Sequence, residues 1–305
     1  MSDILAGTVP SHIPFSHPVD CGPLGSYADK VTRTTSSDPE RSVLLRGLSI
    51  LECFESRRVA IGVPQLSRAT GLPASTVHRQ LATLMEWGAV ERVARGEYQL
   101  GMRMWILGSS VPRARRLRDV ALPHLEDLYE ATHEVVHLTV RDGLETLYVE
   151  KISGNRSTVV TTRVGRRLPL HATGPGKVLL AYSPTELFDE VVDHGLPAMT
   201  AQTITDPDEL RRHLAEIRMT GVAVSRGESS LDHASVAAPV FAASGEVVAS
   251  ISAVMPTESF DAPVLTPLVV ACSRAISRSL GFAKALAGNP RRRDLSHEIP
   301  RSAGR

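Results

Sequence analysis

The stretch from Pro64 to Arg92, PQLSRATGLPASTVHRQLATLMEWGAVER, constrains this chain more than any other. Pro64 marks the start of a short helix, Leu66 and Ala69 are its inward positions, and Gly71 stands where the chain must turn with a positive φ. Pro73 opens a second helix, on which Val77, Leu81, Leu84 and Met85 share one apolar stripe. Ser75, Thr76, Arg79 and Thr83 lie opposite that stripe, with His78 and Gln80 at the flanks. Small hydroxyls and an arginine on an outward helix face are what the major groove of a DNA duplex accepts, because they approach phosphates and base edges closely. After Gly88, AVERVARGEYQLG reads as two short strands around Ala94-Arg95-Gly96, a wing whose cationic tip, Arg95, suits a backbone or minor-groove contact. An ordinary helical hairpin with a solvated arginine accounts for the helices alone. It does not account for helices, turn and wing together.

The charge distribution agrees with that reading. Residues 41–118 hold thirteen Arg and no Lys against five Glu and no Asp, a local charge of +8 in a chain whose total is only +1. A basic front and a mildly acidic rear fit a nucleic-acid module joined to one of another kind. A length of 305 residues favours two domains, and an aromatic share of 4% argues against a stacking platform for single strands. Cys21, Cys53 and Cys272 are too few and too scattered for a disulfide framework or a cysteine zinc site. Without a basic patch leading into an apolar run, and without a bilayer-length apolar stretch, the expected location is the cytoplasm, away from membranes.

Taken in order, residues 1–40 carry Pro10, Pro14, Pro18 and Pro23 without a sustained period and read as a disordered leader. The run SVLLRGLSILECFES from Ser42 predicts a helix with Leu44, Leu48 and Leu51 on the face that backs the helix pair, Phe54 nearby; three helices and a wing then make a winged helix-turn-helix domain over 41–101. Residues 102–132 predict a linker helix. Its stripe of Leu117, Ala121, Leu125 and Leu128 can pack on its own rear domain or on a partner chain, and Pro112 and Pro123 should break or bend it.

The texture of 133–285 is mixed. Val135–Arg141 and Thr146–Lys151 flank the hairpin signal Asp142-Gly143, and Thr158–Val164 reads as a further strand. Ser183-Pro184-Thr185-Glu186 and Asp206-Pro207-Asp208-Glu209 each offer an N-cap, a proline at the first helical position and a glutamate two positions later. Strand-like runs follow at Gly221–Ser225, Ser235–Phe241 and Val247–Val254, and a last helix at about Leu265–Ala283. These elements favour an α+β fold, an antiparallel sheet with helices beside it. Residues 286–305, with Arg291-Arg292-Arg293, read as a disordered basic tail and more as a solvated end than as a DNA arm.

SVLLRGLSIL at 42–51, LSRATGLPASTVHRQLATLMEWGAVER at 66–92, YQLG at 98–101, GRRLPLHATGPGKVLLA at 165–181, GVAVSRGE and VAAPVF at 221–241 together resemble the IclR-type transcriptional regulators. The resemblance implies a winged N-terminal domain, a linker helix and a GAF-like (PAS or profilin-like) domain that binds a small molecule, in a homodimer or tetramer acting on double-stranded operator DNA, most often as a repressor of a catabolic operon. It places Gly174, Pro175, Ser225, Ser235 and Ser252 at the effector site. Independently of family, amides at a helix N-terminus attract a carboxylate, and serines can donate to the same anion, although serines in strands often only satisfy neighbouring backbone. Family members that bind small keto acids carry Asp and Cys where this chain has Ser225 and Ser235. The expected effector is therefore a hydrophobic or aromatic carboxylate.

Two motifs compete. His133-Glu134-Val135-Val136-His137 matches the HExxH pattern, which would make the chain a zinc-dependent hydrolase, with His171 or His233 as a further ligand. That pattern works only on a helix, and here it runs into the β-branched Val-Val-His-Leu-Thr-Val, where residues four apart stand about 13 Å apart. Gly174-Pro175-Gly176-Lys177 has the letters of a phosphate loop without its spacing. No cofactor, metal or catalytic residue is expected.

Overall fold

The structure, a computed structural model, describes residues 42–54, 60–154, 160 and 162–282. The leader expected over 1–40, the tail expected over 286–305 and Cys21 lie outside those residues.

The front domain opens with α1 (Val43–Glu52), whose N-cap Ser42 accepts a hydrogen bond from the Leu44 amide. Its inward face is the expected one only in part: Leu51 packs on the front core and Phe54 is buried, but Leu44 is 69% and Leu48 43% exposed, and Gly47 and Ile50 are buried instead. The reason is a close approach. Oε1 of Gln80 would stand 3.3 Å from a Cβ at position 47, so a glycine lets the helices meet there and Leu44 and Leu48 turn outward.

β1 (Ile61–Gly62) leads into α2 (Val63–Thr70), which ends at Gly71 with φ 69°, a left-handed turn that favours glycine. Pro73 is the N-cap of α3 (Ala74–Trp87), and its carbonyl accepts from the Thr76 and Val77 amides. Val77 and Leu81 are fully buried, with Leu84 and Met85 at the margin of the same cluster. Truncating Leu81 to alanine would cost about 2–5 kcal/mol. The wing is β2 (Val90–Ala94) and β3 (Glu97–Leu100), antiparallel, with β1 as a third strand on β3 through Ile61 and Tyr98. β1, at two residues, is too short a run to show a period in the sequence.

α4 (Met102–Ser109) has no buried residue, and Met102, Trp105 and Ile106 stand in the open. α5 (Pro112–Thr132) runs on through Pro123. Its Leu117, Ala121, Leu125 and Leu128 are buried within the chain's own rear core, not shown to a partner.

The rear domain is a six-stranded antiparallel sheet in the order β6-β5-β4-β9-β8-β7. Its strands are β4 (Val135–Asp142), β5 (Glu145–Ile152), β6 (Arg167–Pro169), β7 (Ala223–Arg226), β8 (His233–Phe241) and β9 (Val247–Pro256). β6 replaces the expected Thr158–Val164 strand, of which Thr158, Val159 and Thr161 lie outside the described residues and the rest is not extended into the sheet. On one face, α5 and α9 (Ala262–Ser279) cover Val136, Leu138, Val236, Ala238, Ile251 and Ala253. On the other lie α6 (Gly174–Ala181), α7 (Thr185–Asp193) and α8 (Pro207–Thr220), whose apolar sides form a second cluster. Asp206 caps α8 by accepting from the Glu209 amide at 2.7 Å, as the sequence predicts. Ser183 does not cap α7: its hydroxyl donates to the Leu179 carbonyl at 2.7 Å and Pro184 takes the N-cap position. The whole is an α+β chain, a helix-turn-helix domain followed by a sheet domain that fits the GAF-like description.

A candidate DNA interface and a candidate effector cavity

α3 presents Ser75, His78, Arg79 and Thr83 to solvent, with Thr76 half-buried beside them. Arg95 is exposed at the wing turn, just before Gly96 with φ 78°. Neither Arg79 nor Arg95 is held in an ion pair among the described residues, so both guanidinium groups are available to phosphate or base edges. Thr83 donates to the Arg79 carbonyl at 3.4 Å. Gln80, placed at the flank by the sequence, is instead buried at 6% exposure against α1 and belongs to the packing.

In the rear domain Gly174, Pro175, Ser225, Ser235 and Ser252 line one cavity of about 60 Å³ between α6 and the sheet. Ser225 on β7 and Ser235 on β8 are registered neighbours. Gly174 sits directly over them: a Cβ there would meet the Ser235 hydroxyl at 2.9 Å and the Ser225 Cβ at 3.4 Å, a contact that no larger residue makes without displacing the serine. Thr173 is the N-cap of α6 and accepts from the Gly176 amide at 3.0 Å, and Pro175 has no N–H. Of the first three positions of α6, only Gly174 therefore has an amide hydrogen left to offer. The helix dipole adds its positive end at the same place.

Sequence reasoning missed several lining residues, among them His137, Tyr148, Arg166, Met199 and His233. Strand alternation could have found one of them: His137 pairs with Ser252 across β4 and β9, so the two share a face of the sheet. His137 is 1% exposed, and burial, with the Lys151 ammonium nearby, lowers it from the usual histidine value to about 3. Its ring meets Tyr148 edge-on at 5.0 Å. Burial likewise raises the Tyr148 phenol, and the nearby Arg166 guanidinium pulls it partly back.

One turn into α6, Lys177 is fully buried and its ammonium donates to Glu228 at 2.5 Å, with His213 Nδ1 at 3.2 Å. Burial pushes Lys177 below the ordinary lysine range, and Glu228 pulls it partly back. The phosphate-loop letters around Lys177 thus encode a buried ion pair.

The HExxH letters do not make a zinc site. His133 ends α5 in a left-handed conformation, φ 55°, while His137 lies inside β4. The two are separated by extended backbone, and among the described residues no group of three or more His, Cys, Asp or Glu is placed to hold a metal ion, His171 and His233 included. His171 Nε2 lies 3.1 Å from the Pro197 carbonyl, and His233 Nδ1 lies 3.2 Å from the Ser230 hydroxyl. No helix of the described residues is long and apolar enough to cross a membrane.

Comparison with known proteins places both domains. Residues 43–94 match the IclR helix-turn-helix domain, and residues 110–278 match the C-terminal domain of bacterial IclR transcriptional regulators. The chain is 31% identical to the HTH-type transcriptional regulator KipR of Bacillus subtilis, over 80% of this chain and 98% of that one. It is also 31% identical to the transcriptional repressor IclR of Escherichia coli, over 68% of this chain and 78% of that one. Among solved structures, an IclR homolog from Microbacterium hydrocarbonoxydans complexed with 4-hydroxybenzoate superposes with a TM-score of 0.74 at 34% identity, covering 78% of this chain and 99% of that one.

Proposed function

Because the chain belongs to the IclR family of DNA-binding transcriptional regulators, we propose that it is a homodimeric repressor of a catabolic operon, controlled by an aromatic carboxylate bound in the rear cavity. Ser75, Thr76, His78, Arg79 and Thr83 read or anchor the major groove, and Arg95 touches the neighbouring backbone. The effector's carboxylate sits at the Gly174-Pro175 end, where the Gly174 amide, the dipole of α6 and the Ser225 and Ser235 hydroxyls meet, with Ser252 further along the floor. The family's relatives are regulators, which leaves the hydrolase reading of His133, Glu134 and His137 without support.

The observation that carries this reading is the convergence of all five effector residues on one cavity under the start of a helix. The relative that holds 4-hydroxybenzoate supports an aromatic acid. The cavity itself, at about 60 Å³, is far below the roughly 300–1,000 Å³ of ligand sites. An acid must widen it, and a ligand that fits only the widened form shifts the population between the two arrangements. Dimerisation is supported by apolar side chains left in the open on α1 and α4, including Leu44, Leu48 and Trp105. The test is a mobility-shift titration of the full chain on its own upstream DNA with and without benzoate. Retarded DNA released by the acid supports the reading; DNA binding indifferent to every aromatic acid tried removes the effector assignment.

A further inference from the structure

Two polar side chains on the cavity floor have no hydrogen-bond partner among the described residues. Both ring nitrogens of His137 and the hydroxyl of Ser252 are buried without one. They are registered neighbours on β4 and β9, and both line the cavity. Nearby hydroxyls behave otherwise: Ser250 donates to the Ala238 carbonyl and Thr139 to the Ser250 carbonyl, each at 3.1 Å. The sheet can thus satisfy a buried hydroxyl locally, and at Ser252 it does not. Buried polar groups left open in this way call for a partner from outside the chain.

Their place in the sheet leads away from the anion end, with Ser252 on β9 next to β8 and His137 one strand further. Gly174 lies over Ser225 and Ser235 on β7 and β8, whereas His137 is on β4, two strands from β8 and about 10 Å away at the usual strand spacing. Leu168, Met199 and Val254 line the cavity along with both ends.

We propose that His137 and Ser252 form a second hydrogen-bonding station that receives an uncharged oxygen, so that the effector is a carboxylic acid bearing a hydroxyl or carbonyl at the end remote from its carboxylate. This rests on the effector reading above and narrows it. A neutral imidazole offers one donor and one acceptor, and the serine hydroxyl offers both, which matches a hydroxyl that gives and takes. Burial keeps the imidazole neutral, so this end supplies no cation of its own ring to a second carboxylate.

Calorimetric titration of the full chain with benzoate, 3- and 4-hydroxybenzoate and terephthalate tests it, repeated on Ser252→Ala and His137→Phe. The expected result is that one hydroxybenzoate binds wild type about tenfold more tightly than benzoate, and that this ratio falls toward one in each variant. If His137→Phe fails to fold, the Ser252→Ala ratio alone decides. Equal binding of benzoate and both hydroxybenzoates by wild type overturns the proposal, leaving the pair as a seat for water only. So does a preference for terephthalate, or a ratio that survives both substitutions, and in all three cases the carboxylate reading stands. If none of the four acids binds, both readings fall.

Discussion

Lys177 and Glu228 form a buried ion pair that joins the middle of α6 to the segment carrying Ser229 and Ser230, so the two walls of the cavity are fastened to one another. Lys177→Met alone leaves a buried carboxylate uncompensated and should cost about 3–5 kcal/mol in urea unfolding. Lys177→Met combined with Glu228→Leu should recover most of that loss. A double variant as unstable as the single one would show that the pair holds the walls by more than charge.

At position 174 the added methyl of Gly174→Ala meets the Ser235 hydroxyl at 2.9 Å. Affinity for benzoate should fall at least tenfold while the melting temperature changes little, and Ser235→Gly in the same chain should restore part of the affinity. Calorimetry on the two variants checks both statements.

For DNA, Arg79→Ala should weaken binding by about 1–3 kcal/mol and relax base preference at the positions it faces. Arg95→Ala should weaken all sequences alike and lower the slope of log affinity against log salt by about 1. Anisotropy titrations over a range of salt separate the two, and an Arg79→Ala protein that binds its operator like wild type sinks the groove assignment.

Acidification should act through His137. Its folded value of about 3 lies below the ordinary 6.5, so the unfolded chain takes up a proton that the folded chain refuses. The stability contributed by the neutral ring is whole above pH 6.5 and is lost as pH falls from there toward 3. Between pH 6.5 and 5, wild type should lose roughly 1.5 kcal/mol relative to His137→Phe. Parallel unfolding curves for the two proteins would contradict this.

Leu44→Glu and Trp105→Glu place charge on side chains that are 69% and 67% exposed, so folding of the single chain should be spared. If these residues meet a second copy, sedimentation should show dissociation at micromolar concentration and operator affinity should drop with it. Unchanged mass would move the dimer contact elsewhere.

Much of this was legible in the sequence where the physics is local. Gly71, Pro73 and the Val77–Leu81 stripe announce their turn and helix because each depends on neighbours a few residues away. Asp206 declares its cap for the same reason. What was lost depends on contacts distant in the chain. Leu44 and Leu48 form as good a stripe as Ile50, and only the glycine at 47 facing Gln80 decides which side turns in. His137 was set aside with a false zinc motif, since its neighbours at Ser252 and Tyr148 come from other strands. Ser183 is a local exception: its hydroxyl bonds back to the Leu179 carbonyl four residues earlier, a choice the capping letters alone do not decide.

Alternation along β4 has a mechanical result. His137 looks into the cavity, while Val136 and Leu138, its immediate neighbours, bear on the buried side of α5. Only one peptide's thickness lies between whatever fills the cavity and the long helix behind the sheet. At His137 the strand thus joins the cavity to that helix directly, with no loop in between.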